Sequence, residues 1–363
     1  MLAVTVDASA LDDARATAGI GRYVRCLVDS LPLVDDVSVS LARPGRRPPR
    51  EAWVVRWAAA QPALLRTAVL RRAALVHATG TDPAALWPLR RQVVTVHDVV
   101  PWTMPRPPAR SATGRYLAWQ CGRFRRCAGI IAVSDAVAAE AVEVLRLDWR
   151  RVTVVPEGLL PVFAPAGDSS GDTALRRAVG VEAAGYVLWT GSLVAHDPRK
   201  ALPVLLDAVA ALRRTRPSSR LVLAGECGAE AQAVSTLAGR LGVDVLFTGY
   251  VPDATLAALV RGAGVVAIPS LHEGFGLPAL EAMACGAPLV ATRAGNLPGL
   301  VGDAALLVAP GDAAALASAM RAVLDDDALA ARLRAAGPLR AAPYTWRRTA
   351  ERTVEVYRRA VRP

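Results

Sequence analysis

Short β-branched runs alternate with Ala/Leu-rich stretches of helical spacing along the whole of this chain, and few folds accept that pattern. Strand and helix in strict alternation are the mark of βαβ units around a parallel sheet. Six runs fall in the first half: Ala3–Asp7, Val37–Ala42, Leu75–Ala78, Val93–His97, Gly129–Val133 and Val152–Val155. Six more follow at Tyr186–Thr190, Leu221–Ala224, Asp244–Thr248, Gly264–Ile268, Pro288–Ala291 and Ala305–Val308, with helices expected between them, as at Ala201–Arg214 and Thr255–Arg261. A Pro/Gly/Ser/Asp-rich linker at Phe163–Asp172 separates the two sets. The predicted architecture is α/β, with two Rossmann-like doubly wound domains, 1–165 and 166–345, facing a central cleft, and a helix in 346–363 placed to pack back across both. Ligands of such sheets sit outside the C-terminal ends of the strands.

Composition narrows the class. No apolar run approaches the roughly 20 residues that span a bilayer, and the opening MLAVTVDASA lacks a basic leader region and reads as a strand. A soluble, cytoplasmic protein is expected. Cys26, Cys121, Cys127, Cys227 and Cys285 lack metal-ligand spacing and read as small buried hydrophobes, so no metal site is expected. Net charge is +11 and uneven: residues 1–165 carry 22 basic against 14 acidic side chains, residues 166–363 carry 21 against 18. Arg43–Arg50, Arg71-Arg72, Arg90-Arg91 and Arg123–Arg126 concentrate the excess in the first half. Such a surface suits anionic lipid headgroups, a phosphate-bearing substrate or nucleic acid, although an arginine-rich codon bias gives the same composition. Lys200 is the one lysine in the chain. A compact ammonium differs from a guanidinium wherever a point charge must reach a phosphate.

The most informative stretch runs from Ser270 to Pro288. An apolar strand leads into Glu273-Gly-Phe-Gly276, Pro278 suits a first helical position, and Gly286 suits a helix end. Backbone N–H groups at a helix start beneath a glycine loop form an anion site. Glu273 lies beside that start and Glu281 about a turn inside. Both can accept hydrogen bonds from sugar hydroxyls, or act as a helix-dipole partner and a solvated face residue.

The block EGFGLPALEAMACGAPLVAT at 273–292 resembles the E-x7-E segment of retaining glycosyltransferases of the GT-B fold, family 4 (glycosyl transferases group 1). The resemblance extends over nearly the whole chain. Gly19–Tyr23 is similar to that family's first-strand loop, and Val94–Asp98 to its histidine segment. Ile131–Ser134 and Val154–Gly158 are similar to the end of its first domain, Gly191-Ser192 with Pro198–Lys200 to its donor-phosphate block, and Leu223–Gly225 and Phe247–Tyr250 to later strands. It departs at Pro156-Glu157-Gly158, where the family has Pro-Asn-Gly, at Ser192, often arginine, and at Asn296 and Pro298-Gly299.

The resemblance implies that Arg199 and Lys200 hold the donor diphosphate and steady its departure. It implies that Glu281 binds the nucleotide ribose, and that Glu273 contacts the transferred sugar beside Gly274, Phe275, Gly276 and Leu277. His97 faces that sugar from the first domain, Gly191 and Ser192 belong to the donor-phosphate block, and Gly19 and Gly21 let backbone approach the diphosphate or the acceptor. Catalytic roles fall on Glu273, His97, Lys200 and Arg199, with no metal or other cofactor required. His77 is balanced between a site and a core role; His196 and His272 read as peripheral. The implied reaction moves a sugar, mannose or rhamnose favoured over glucose or GlcNAc, from a nucleotide-sugar donor to a glycan, cell-envelope or lipid-linked acceptor, with peripheral association to an anionic membrane. Two other readings compete: a sugar-nucleotide-binding relative without turnover, and a nicotinamide oxidoreductase, for which Gly19–Val24 lacks the third glycine of GxGxxG. Nucleic-acid binding finds no aromatic-basic platform to support it.

Overall fold

The structure, a computed structural model, describes residues 1–12, 19–43, 53–80, 87–103, 108, 110–165 and 169–362. Most of the arginine run at 43–50 therefore lies outside the described residues, as does part of the 163–172 linker. The chain divides into two compact units, Met1–Gly158 with Tyr344–Pro363, and Leu159–Pro343.

The first unit holds β1 (Leu2–Asp7), β2 (Val37–Ala42), β3 (Leu75–Ala78), β4 (Gln92–Val96), β5 (Gly129–Ala132) and β6 (Val152–Val154). They form one sheet in the order β2-β1-β3-β4-β5-β6, every pair parallel. The second unit holds β7 (Val187–Thr190), β8 (Leu221–Ala224), β9 (Val245–Gly249), β10 (Val265–Ile268), β11 (Leu289–Thr292) and β12 (Leu306–Val308). Its order is β12-β11-β10-β7-β8-β9, again parallel throughout. All twelve expected strands are present, with no end shifted by more than one residue. Both faces of such sheets are covered by helices, so β3, β4, β5, β8, β10 and β11 are buried at every position; β8 and β10 read as unbroken Val/Leu/Ile/Ala runs, and β3, β4 and β11 admit a few polar residues such as His77, Gln92, Thr95 and Thr292.

The strand orders fix where ligands sit. Chain direction across the sheet reverses between β7 and β10 in the second unit and between β1 and β3 in the first, and each reversal leaves a crevice at the C-terminal strand ends. In the second unit the core beneath that edge packs Leu205, Val209 and Leu212 of the helix Leu202–Arg213 against Val187, Leu221 and Val265.

Three expectations need correction. The units part after Gly158, not at 165, because Arg261 donates to the carbonyls of Val162 and Ala164 and ties that linker to the second unit. The C-terminal helix, Trp346–Ala360, is counted with the first unit. Thr349 Oγ1 donates to the Pro156 carbonyl at 2.8 Å, and a Cβ on Gly158 would lie 2.2 Å from the Trp346 nitrogen, so the two segments touch backbone to backbone. Cys227 is exposed; Cys26, Cys127 and Cys285 are buried and Cys121 intermediate.

Candidate active site

In the second unit, the loops leaving β7 and β10 carry the chemistry, and they are bound to each other. After β7 the chain passes Gly191 and Ser192 and reaches a 3₁₀ turn, Pro198–Lys200. Asp197 caps that turn through the Arg199 backbone N–H at 3.1 Å. Its carboxylate also takes the Arg199 fork, from Nε at 2.9 Å and Nη2 at 2.8 Å. Burial alone would raise the Asp197 carboxyl, but the bonds from Arg199 hold it below the usual range. Lys200 Nζ donates to the Ser192 carbonyl and lies 5.9 Å from the Trp189 ring centroid. Burial depresses its basicity, opposed by the carboxylates of Asp197, Glu273 and Glu230. The next residue, Ala201, sits at φ 47°, left-handed backbone that costs about 1–2 kcal/mol outside glycine. Through that kink the 3₁₀ turn swings directly into the helix Leu202–Arg213.

The Leu271 N–H donates 2.6 Å to the Arg199 carbonyl and joins this turn to the loop after β10. That second loop is fastened from three sides. Thr292 at the end of β11 donates to the Ser270 carbonyl, Ser270 Oγ donates to Glu273 Oε1 at 2.7 Å, and Asn296 grips the loop twice. Its backbone N–H reaches the Glu273 carbonyl at 3.0 Å and its side-chain amide the Phe275 carbonyl at 2.9 Å. Gly276 then turns through φ +99° to cap the helix Leu277–Ala284, with Pro278 in its first turn. Glu273 is half-buried, and desolvation raises its carboxyl above the usual range against the pull of Ser270, Arg199, His272 and Lys200. Glu281 lies one turn into the helix and is 4% exposed.

Thus Arg199, Lys200, Ser192 and Glu273 meet in one electrostatic cluster at the β7/β10 reversal, with Gly191, Gly274 and Phe275 on the same loops. Sequence reasoning missed three partners: Trp189, Thr292 and Asp197. Asn296 stood out only as a departure from the family pattern. Trp189, Thr292 and Asn296 act through contacts made in the fold, whereas Asp197, as the cap before Pro198, could have been read locally.

In the first unit, Gly19 and Gly21 lie in the first turn of the helix Gly19–Ser30, not in a loop, and Gly21 is buried there. His97 follows β4 and is 9% exposed. Its Nε2 is 2.9 Å from the Thr79 carbonyl and its Nδ1 3.4 Å from Glu157 Oε1, with the Tyr23 ring edge-on at 4.6 Å between centroids. His77 is fully buried between the Tyr357 hydroxyl at 2.6 Å and Thr95 Oγ1 at 2.8 Å, and burial pushes its basicity down to about 3. It is a core residue. His196 pairs with the buried Glu230 at 2.8 Å.

Two family models match: "Glycosyltransferase Family 4" over residues 15–159 and "Glycosyl transferases group 1" over residues 184–326. O-antigen chain mannosyltransferase B of Escherichia coli is 30% identical over 74% of this chain and 71% of its own length. The chain belongs to glycosyltransferase family 4. D-inositol 3-phosphate glycosyltransferase of Kineococcus radiotolerans is 37% identical over 64% of this chain, which spans 57% of that relative's length. The fold of this glycosyltransferase is GT-B. The Anabaena Alr3699/HepE structure in complex with UDP-glucose superposes at TM-score 0.76 with 19% identity, covering 98% of this chain and 99% of that one.

Proposed function

We propose that this glycosyltransferase is a retaining, nucleotide-sugar-dependent enzyme whose second unit takes the donor. The observation that carries the reading is the cluster of Lys200, Arg199 and Glu273 at the β7/β10 reversal. Because Asp197 already neutralises the Arg199 fork, the leaving diphosphate depends chiefly on Lys200, whose ammonium has donors left after Ser192. Half-buried charge of that kind stabilises a developing anion more strongly than exposed charge. Glu273 holds hydroxyls of the transferred sugar and Glu281 those of the ribose. As the bond from the sugar's anomeric carbon to phosphate oxygen breaks, the acceptor hydroxyl bonds that carbon on the same face. Its proton passes to the leaving phosphate oxygen. No metal or further cofactor is required.

The names of the relatives support a mannosyl-type sugar and a glycan or inositol-phosphate-like acceptor, and the UDP-glucose complex of the structural neighbour supports a nucleotide sugar as donor. Exposed side chains of the first unit support the reading of a peripheral contact with an anionic membrane. Trp119 and Trp149 are 48% and 54% exposed, Arg123 stacks 4.7 Å over the Trp119 ring, and Arg125, Arg126, Arg146 and Arg150 are exposed nearby in sequence. No helix among the described residues is long and apolar enough to cross a bilayer. An interfacial contact with anionic headgroups is the mode that remains natural for these side chains.

Calorimetric titration with GDP, UDP, ADP and dTDP tests the donor site. One nucleotide is expected to bind tightly and to lose that binding in Lys200→Ala, with turnover of the matching sugar nucleotide down about 10²–10³-fold. No binding by any of the four, or unchanged binding in the variant, removes the reading. Retention on anionic vesicles at low salt, absent on neutral ones, checks the membrane contact.

A further inference from the structure

Within the first unit, the segment after β6 delivers a carboxylate to His97. The geometry at that point requires a proton between the two side chains. The Thr79 carbonyl can only accept, so His97 Nε2, 2.9 Å away, carries a hydrogen. Nδ1 then faces Glu157 Oε1 at 3.4 Å, too close for a bridging water. A neutral ring beside an ionised carboxylate would set lone pair against lone pair, with the two side chains only 10% and 6% exposed. Glu157 Oε2 is also buried and has no hydrogen-bond partner among the described residues, so His97 is the one donor that faces this carboxyl group there.

We propose that Glu157 is a positioning residue that keeps a proton on His97 Nδ1, fixing the ring as an imidazolium at the C-terminal edge of the first sheet. Each of the other titratable groups near the ring has a partner of its own. His77, from β3, has both nitrogens on hydroxyls, those of Thr95 and Tyr357. Tyr23, from the helix Gly19–Ser30, bonds Thr95 Oγ1 at 3.0 Å and is held protonated by burial. Tyr357, from the C-terminal helix, is likewise held protonated by burial. Asp98, next in sequence, has Oδ1 on the Val100 N–H at 3.1 Å. Glu157 is the anion set against Nδ1.

The consequence for catalysis rests on the function proposed above. With Nε2–H spent on Thr79 and Nδ1–H on Glu157, the ring has no lone pair with which to act as a general base. It contributes fixed positive charge and a fixed orientation.

The test is nitrogen-detected NMR of protein labelled with ¹⁵N-histidine, with His97 assigned through His97→Gln. Both His97 nitrogens are expected to be protonated at pH 7, and the ring in Glu157→Gln to be the neutral Nε2–H tautomer, its Nδ1 accepting from the new amide. A wild-type ring that is already neutral at pH 7 overturns the proposal without any variant, and so does an unchanged ring in Glu157→Gln. Turnover is measured alongside: Glu157→Gln is expected to lower kcat about tenfold or more with donor KM little changed, and Glu157→Asp to recover part of it. An imidazolium spectrum from protein that transfers no sugar would sustain this inference and remove the functional reading.

Discussion

Substituting alanine for Gly295 tests how tightly the loop around Glu273 is held. Gly295 has φ +51°, and a Cβ there would lie 2.2 Å from the Glu273 carbonyl oxygen and 2.9 Å from its nitrogen. Carbon and oxygen settle at about 3.3 Å, so the Glu273 backbone must retreat by about 1 Å. It cannot do so freely, because the same carbonyl takes the Asn296 N–H at 3.0 Å. The left-handed backbone costs alanine about 1–2 kcal/mol and the overlap about 1–3 kcal/mol more. For a unit of this size, a loss of about 2–5 kcal/mol lowers Tm by about 4–20 °C. A displacement of about 1 Å at a reacting group costs about 10²-fold in rate. Gly311→Ala is the control: φ is +79° but nothing lies within 4 Å of the added Cβ, so it meets the backbone cost alone. Thermal denaturation and sugar-nucleotide turnover of both variants separate the terms. If Gly295→Ala melts with Gly311→Ala and turns over at the wild-type rate, the loop is not clamped as described.

Three further outcomes follow, two in the second unit and one in the first. Glu273→Gln should match the wild type in stability at acid pH and exceed it as pH rises through the usual carboxylate range, because the raised Glu273 carboxyl resists ionisation in the fold; activity should be lost throughout. Urea titrations at several pH values show this, and a stability gain largest in acid would contradict it. Arg261→Met strands Asp172, which holds the guanidinium by two bonds of 2.6 Å with side chains 15% and 10% exposed, and should cost about 3–5 kcal/mol. Arg347→Ala, which breaks a pair 73% and 46% exposed, should stay within about 0.5 kcal/mol in the same urea assay.

Strands were easy to read because burial on both faces leaves them mostly apolar; β8 needs only Leu-Val-Leu-Ala to declare itself. Helix ends and the domain boundary were harder. Composition marks 163–172 as a linker, but three guanidinium nitrogens of Arg261, about a hundred residues on, attach that region to one side. The site divides in the same way. Glu273, Lys200 and Arg199 stand in contiguous motifs, whereas Asn296 and Thr292 join the loop only because β11 lies beside β10. Glu157 was visible as a departure from a motif, yet its meaning depends on a histidine sixty positions earlier. Gly19 and Gly21 look like loop glycines and prove helical, since their spacing suits a helical turn as well as a loop.

The Tyr357–His77 hydrogen bond joins residues 280 positions apart, and Thr349–Pro156 joins residues 193 apart. The second unit, by contrast, is one uninterrupted stretch, Leu159–Pro343. On an elongating chain the later-made unit can therefore close first, while the earlier-made sheet stays without its last helix until residues 346–360 emerge. His77 and the backbone at 156–158 would be open to water during that interval. The step that completes the first unit is then a docking event that waits until the second unit has been made, and lesions in the helix 346–360 should surface as failures to mature rather than as local fraying.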